Sequence, residues 1–174
     1  MIRTAKFADI PDLERLIREQ HAASKYAGRV GIAGKALEAL VLGMIAQAGQ
    51  RGPQGSHVAV AVRDGRVTGF VAGVLDRVYH VGDRLTANDL FLVNSGSLAD
   101  TLGLVDSYVG WARSNPRVIE IMLSWSDALP GAEGMAALAR RKGFVKSGEM
   151  FEMRLDVPAM DESAGEESGV EKAA

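Results

Sequence analysis

The sequence predicts a mixed α/β (α+β) domain, and three observations carry that prediction. Apolar residues alternate in some segments and recur every three to four positions in others, the periods of strand and helix. Asp64-Gly65 stands between two apolar runs, a strong signal for a two-residue hairpin turn. A strand, a helix and a second strand succeed one another over 87–125, and a helical crossover makes such strands parallel. The 174 residues fit one domain, and 47% apolar content supplies a core that a disordered chain lacks.

Taken in order, Ile2 to Phe7 reads as a first strand. Asp9 is placed to cap a helix that tolerates Pro11 early and carries Ile10, Leu13, Leu16 and Ile17 on one face. Ala27 to Gly34 is a glycine-containing loop. Leu37, Leu40, Val41, Met44, Ile45 and Ala48 mark a second helix, ended by the turn residues of 49–56. His57 to Val62 and Val67 to Leu75 form the hairpin around Asp64-Gly65. A polar connection over 76–86 carries Tyr79 and His80 and leads to a fourth strand, Ala87 to Val93.

After the turn at 94–97, a third helix is expected with Leu98, Leu102, Val105, Val109 and Ala112 inward, stopped by Asn115-Pro116. Val118 to Trp125 is a fifth strand. Met135 to Lys142 is a fourth helix whose last turn (Arg140, Arg141, Lys142) suits the negative end of a helix, with Gly143 as its cap. Phe144 to Leu155 reads as a closing pair of strands. Trp111 and Trp125 are expected in the core.

Composition excludes several functions. There is no cysteine, hence no disulfide, thiolate metal site or cysteine nucleophile. The three histidines are far apart and form no HExxH pair, so no metal site is expected. A net charge of −2 gives no reason to expect nucleic acid as a partner. No run is long enough for a membrane span, and the start lacks the apolar stretch of a secretory signal, so a cytoplasmic protein is expected. Gly28 to Ala36 is one residue too long for a phosphate-binding P-loop and has Ala36 where a magnesium-binding hydroxyl belongs. There is no Gly-x-Ser-x-Gly elbow. The charge is uneven: residues 157–174 hold five acids against Lys172 alone. This divides the chain into a domain over 1–156 and an acidic tail over 157–174. The tail is the candidate contact to a second copy or to a particle partner.

Four ordered pieces resemble the GNAT superfamily of acyl-CoA-dependent N-acetyltransferases. Ile2 to Leu13 is similar to its opening strand and helix, and Val58 to Leu75 to its central hairpin. Asp89 to Arg113, ending Val109-Gly-Trp-Ala-Arg113, is similar to its cofactor-binding strand, turn and helix. Val118 to Phe144, ending Arg141-Lys-Gly-Phe144, is similar to its last strand–helix unit. The chain also resembles divergent GNAT-like proteins of prophages and phage-related clusters. The resemblance implies a mixed sheet of about six or seven strands flanked by about four helices, with acetyl-CoA as co-substrate.

By the resemblance, a glycine-containing turn at a helix N-terminus holds the pyrophosphate of acetyl-CoA. That turn falls on Gly96, Ser97, Leu98, Ala99, Asp100 and Thr101, preceded by Leu92 and Val93 of the cofactor strand. It departs from the family pattern at three places. Gly96 stands where Arg or Gln is usual, Ala99 where the first Gly is usual, and Thr101 at the last small position. Asp100 would compete with a bound anion. The family's usual general acid, a Tyr on the last helix, is replaced by Ala139, and Tyr108 lies on a different helix. Asp89 and Glu120 are candidates for a general base. Ser124, Ser126, Tyr79 and His80 are candidates to handle the leaving thiolate, and Asp89 and Ser126 stand first among these residues. The resemblance therefore implies direct acetyl transfer to an amine, on a small molecule or a protein. The degenerate turn keeps a second reading open: a GNAT-like binding or structural module without catalysis.

Overall fold

Alternation along Ser56–Arg63 sends Val58 and Val60 to one face of a sheet and Ala59 and Ala61 to the other. A computed structural model of the protein describes residues 1–126, 128 and 133–153. Its strands are β1 (Ile2–Thr4), β2 (Ser56–Arg63), β3 (Arg66–Arg77), β4 (Leu85–Asn94) and β5 (Val118–Ile121). Its helices are α1 (Ile10–Ala22), α2 (Gly34–Ala46), α3 (Leu98–Arg113) and α4 (Glu133–Arg141), with single 3₁₀ turns at Phe7–Asp9 and Val78–His80. The five strands form one sheet in the order β1-β2-β3-β4-β5, antiparallel except for the parallel pair β4–β5.

Two cores flank this sheet. Leu13, Leu16 and Ile17 of α1 and Leu37, Val41, Met44 and Ile45 of α2 pack on Val58, Val60, Phe70 and Val93. Leu104, Tyr108 and Ala112 of α3 pack on Ala59, Ala61, Val71, Leu75, Leu85 and Ala87. The hairpin turns where expected: Asp64 and Gly65 take φ of 49° and 76°, the left-handed pair of a tight two-residue turn.

In β4 the alternation breaks. Ala72 pairs with Phe91 and Gly73 pairs with Asp89, so Leu90 is an extra residue, a β-bulge. Below it Leu85 and Ala87 face α3, and above it Phe91 and Val93 face α1 and α2.

The structure corrects several sequence expectations. Asp9 precedes α1 but does not cap it. Its carboxylate turns back to the Lys6 amide (2.8 Å) and takes a bidentate pair from Arg3 (2.7 and 2.8 Å). A fork of charge-assisted bonds outweighs a neutral cap. In α3 the inward face is Leu104, Val105, Tyr108 and Ala112, while Leu98 is 66% exposed. Trp111 stacks on His57 with ring centres 5.3 Å apart, but Trp125 is partly exposed rather than in the core.

Among the described residues the sheet has five strands instead of six or seven. β5 stops at Ile121, short of Trp125, and among the described residues 144–153 there is no strand. A strand needs a partner edge, and the described residues 144–153 make no backbone pairing with β5. Val145, Met150, Phe151 and Met153 are consequently exposed. The acidic tail lies outside the described residues. No helix among the described residues is long and apolar enough to cross a membrane.

Candidate functional site

The carboxyl-terminal half of β4 carries the site. Along the lower half, β4 and β5 are joined by parallel rungs, with one register shift between Leu85 and Thr86: Leu85 N–H to Arg117 O (3.0 Å) and Met122 N–H to Ala87 O (2.8 Å). The next two rungs of such a ladder would run from the Asp89 amide to Met122 O, and from the Ser124 amide to Asp89 O. Neither forms. The Ser124 amide donates instead to Asp89 Oδ1 at 2.8 Å, joined by the Ser124 hydroxyl at 2.9 Å. The Tyr108 hydroxyl, arriving from α3, donates to Met122 O at 2.8 Å. The backbone ladder therefore breaks off beside the Leu90 bulge, leaving a gap in the main-chain pairing of the two strands.

Burial pushes the Asp89 carboxyl above its ordinary value, and the bonds from Ser124 offset that only in part. The Tyr108 phenol is pushed up as well, by burial and then by the charge of Asp89. Tyr108 fits because residue 73 is glycine: a Cβ there would lie 2.4 Å from the ring. Asp89 is thus a protonatable oxygen at the edge of a gap. Ser126, the other leading candidate, is elsewhere: its hydroxyl accepts from the Ala128 amide, and it makes no bond to Asp89. Ser124 lies three residues beyond the end of β5 and is bonded to Asp89. Among the remaining candidates, Tyr79 is 90% exposed on the β3–β4 connection and His80 pairs with Asp76 at 2.8 Å. Glu120 lies on β5, facing a cavity with Arg113 and Lys142.

Ser95 to Ser97 link β4 to α3, so the N-terminus of α3 stands at the same end as the gap. Asn94 organises the link. Its Nδ2 donates to Ser97 O and to Thr101 Oγ1, both at 2.8 Å, while Oδ1 accepts from the Gly96 amide at 3.0 Å. Gly96 has no room for a side chain, since a Cβ would approach Asp100 Oδ2 to 2.7 Å. Ser97 caps the helix by accepting from the Asp100 amide, and Asp100 accepts from the Ser97 amide in return. Arg63, from the end of β2, joins this box through bonds to Asp100 and to Ser97, each 2.5 Å. Its guanidinium, with the Ser97 amide, holds the Asp100 carboxyl down to about 2. The amides of Leu98 and Ala99 have no partner among the described residues. Leu92 and Val93 lie beneath this turn, one packed toward α3 and one buried against α1 and α2.

Sequence reasoning did not anticipate Arg63 and Tyr108 at the site. The usable signal for Tyr108 was the spacing of Leu104, Tyr108 and Ala112, one residue per turn on the helix face that packs on the sheet.

No protein-family model and no curated protein matches the chain. Solved structures do. A protein from Agrobacterium tumefaciens assigned as an acetyltransferase is 17% identical with TM-score 0.64, over 89% of this chain and 99% of that one. An acetyltransferase from Trypanosoma brucei is 18% identical with TM-score 0.61, over 90% and 99%. A protein from Clostridium acetobutylicum assigned as an acetyltransferase, solved with acetyl-CoA, is 16% identical with TM-score 0.62, over 88% and 95%. The fold is that of the GNAT acetyltransferases. The GNAT fold accounts for the element order, for the single parallel pair β4–β5, and for the helix that follows β4 at the open end of the gap.

Proposed function

We propose that the protein is an acetyl-CoA-dependent N-acetyltransferase that moves the acetyl group directly to an amine. The observation that carries this reading is the unzipped end of β4–β5 beside the start of α3. An extended arm bearing amides fits a gap whose backbone groups lack strand partners. The open amides of Leu98 and Ala99, at the positive end of a 16-residue helix, suit the phosphates of the same molecule. Bound acetyl-CoA supplies a thioester that an amine attacks without a protein-linked intermediate.

The chain's own residues then have two tasks. The main-chain groups around the Leu90 bulge orient the acyl end, so that attack occurs within a fixed geometry. Asp89 accepts the proton that the attacking nitrogen releases. Its raised pKa makes it a better base than a solvated carboxylate. The departing thiolate has no tyrosine at position 139, and Ser124, whose hydroxyl donates to Asp89, can turn that proton to the thiolate once Asp89 has taken up the proton of the amine.

Two measurements test this. Thermal unfolding with acetyl-CoA at about one hundred times Kd should show roughly 2.7 kcal/mol of added stability. Thiol release should then rise in the presence of an amine from a panel of small-molecule and peptide acceptors. Stabilisation without thiol release from any acceptor would favour the non-catalytic module. Absence of stabilisation at millimolar acetyl-CoA overturns the reading.

A further inference from the structure

We propose that Tyr108 and Asp89 are positioning residues that hold β4 and β5 apart, each standing in for one missing rung of the ladder. The inference deepens the acetyltransferase reading and rests on it for its functional consequence. Its structural content is independent of that reading.

Two parallel strands that pair correctly up to Met122 N–H···O Ala87 have every reason to continue. The next acceptor, Met122 O, and the next donor, the Ser124 amide, are main-chain groups that need partners. In this fold both are satisfied by side chains. Tyr108 hydroxyl takes Met122 O and the Asp89 carboxylate takes the Ser124 amide. Each bond removes the partner that the Asp89 main chain would otherwise claim, so the strands lose the reason to close. The ring of Tyr108 is fully buried and seated over Gly73, the register partner of Asp89, which fixes where its hydroxyl arrives. The two struts therefore act at the two ends of one peptide stretch, Met122 to Ser124. They keep a slot available before any ligand enters. A preformed slot spares the ligand the cost of parting a sheet.

The test uses the full chain and three variants: Tyr108→Phe, Asp89→Ala and Asp89→Asn. Amide hydrogen exchange followed by NMR reads the strands directly. In Tyr108→Phe the freed Met122 carbonyl should recruit the amide of residue 89, whose exchange slows by about tenfold or more. In Asp89→Ala the Ser124 amide should transfer to the main-chain carbonyl of position 89, seen as new cross-strand contacts between 89 and 122–124. Asp89→Asn retains an acceptor oxygen and should keep the open pattern. Coenzyme A affinity by calorimetry should fall at least about tenfold in the first two variants, equivalent to 1.4 kcal/mol, and change less than threefold in Asp89→Asn.

Unchanged exchange and contacts at 89 and 122–124 in both Tyr108→Phe and Asp89→Ala overturn the proposal. If Tyr108→Phe does not fold, Asp89→Ala against Asp89→Asn decides alone. If the unmodified chain binds no coenzyme A, the acetyltransferase reading fails while exchange still reports on the struts.

Discussion

The Arg63 guanidinium lies 2.5 Å from the Asp100 carboxylate, tying the end of β2 to the first turn of α3. The sequence places an arginine-free turn at 96–101, and the fold brings the cation in from another strand. The same contact seats a carboxylate on the helix end that a phosphate would use. Asp100 is thus an internal anion at that end.

Asp100→Asn should therefore bind acetyl-CoA more tightly than the unmodified chain, by about two- to fivefold, the scale of charge effects at a helix N-terminus. Arg63→Ala should weaken binding, because it removes the positive charge and leaves the carboxylate. Both are measured by calorimetry at low salt. Tighter binding by Arg63→Ala would show that the arginine blocks the turn instead of serving it.

Asp89→Asn should lower kcat by roughly two to four orders of magnitude while leaving coenzyme A affinity nearly intact. The amide still accepts from Ser124 but cannot take up a proton. A kcat within a few-fold of the original would remove Asp89 from the chemistry and leave it only its role between the strands.

His57 should make stability fall with acid. Burial against Trp111 lowers its pKa to about 4 from 6.5, so the unfolded chain binds a proton that the fold refuses between those values. Its contribution is complete above pH 6.5, is lost as pH falls toward 4, and is constant below. The slope within that window is about 1.4 kcal/mol per pH unit. His57→Phe retains an aromatic ring against Trp111 and should flatten the slope in urea titrations at pH 4–7. An unchanged slope would assign the acid sensitivity to other groups.

Gly73→Ala should destabilise the fold by about 1–3 kcal/mol through overpacking on Tyr108. The urea midpoint should shift with an unchanged m value. The same substitution in a Tyr108→Leu background should cost less, since the two positions are in contact.

The order of elements was legible because periodicity and turn chemistry are local properties. Asp64-Gly65 announced its hairpin, and the helices of Leu13 to Ile17 and Leu37 to Ile45 announced their buried faces. What failed was non-local. Leu98 looked inward by helical spacing, yet α3 is turned so that Tyr108 faces the sheet, with its ring against Gly73. The closing strands were expected over 144–155, but a strand exists only beside a partner, and the described residues 144–153 pair with none. At the site, Asp89 and the turn at 96–101 were visible from the resemblance and the spacing. Arg63 was not, since nothing within a few residues of it points to a helix 37 positions later.

The unpaired residue in β4 gives that strand something like a reading frame. Leu85 and Ala87 are in one phase, Phe91 and Val93 in the other, and Leu90 is the inserted position that shifts between them. Substitutions within either half keep the frame and alter one contact each. Deleting Leu90 would remove the bulge and leave Phe91 and Val93 on their present face opposite Ala72 and Phe70, whereas deleting Leu92 would exchange inside for outside at Val93 and Asn94 and carry the start of α3 with it. Chain length across 91–94 is therefore under tighter constraint than the identity of any one side chain there.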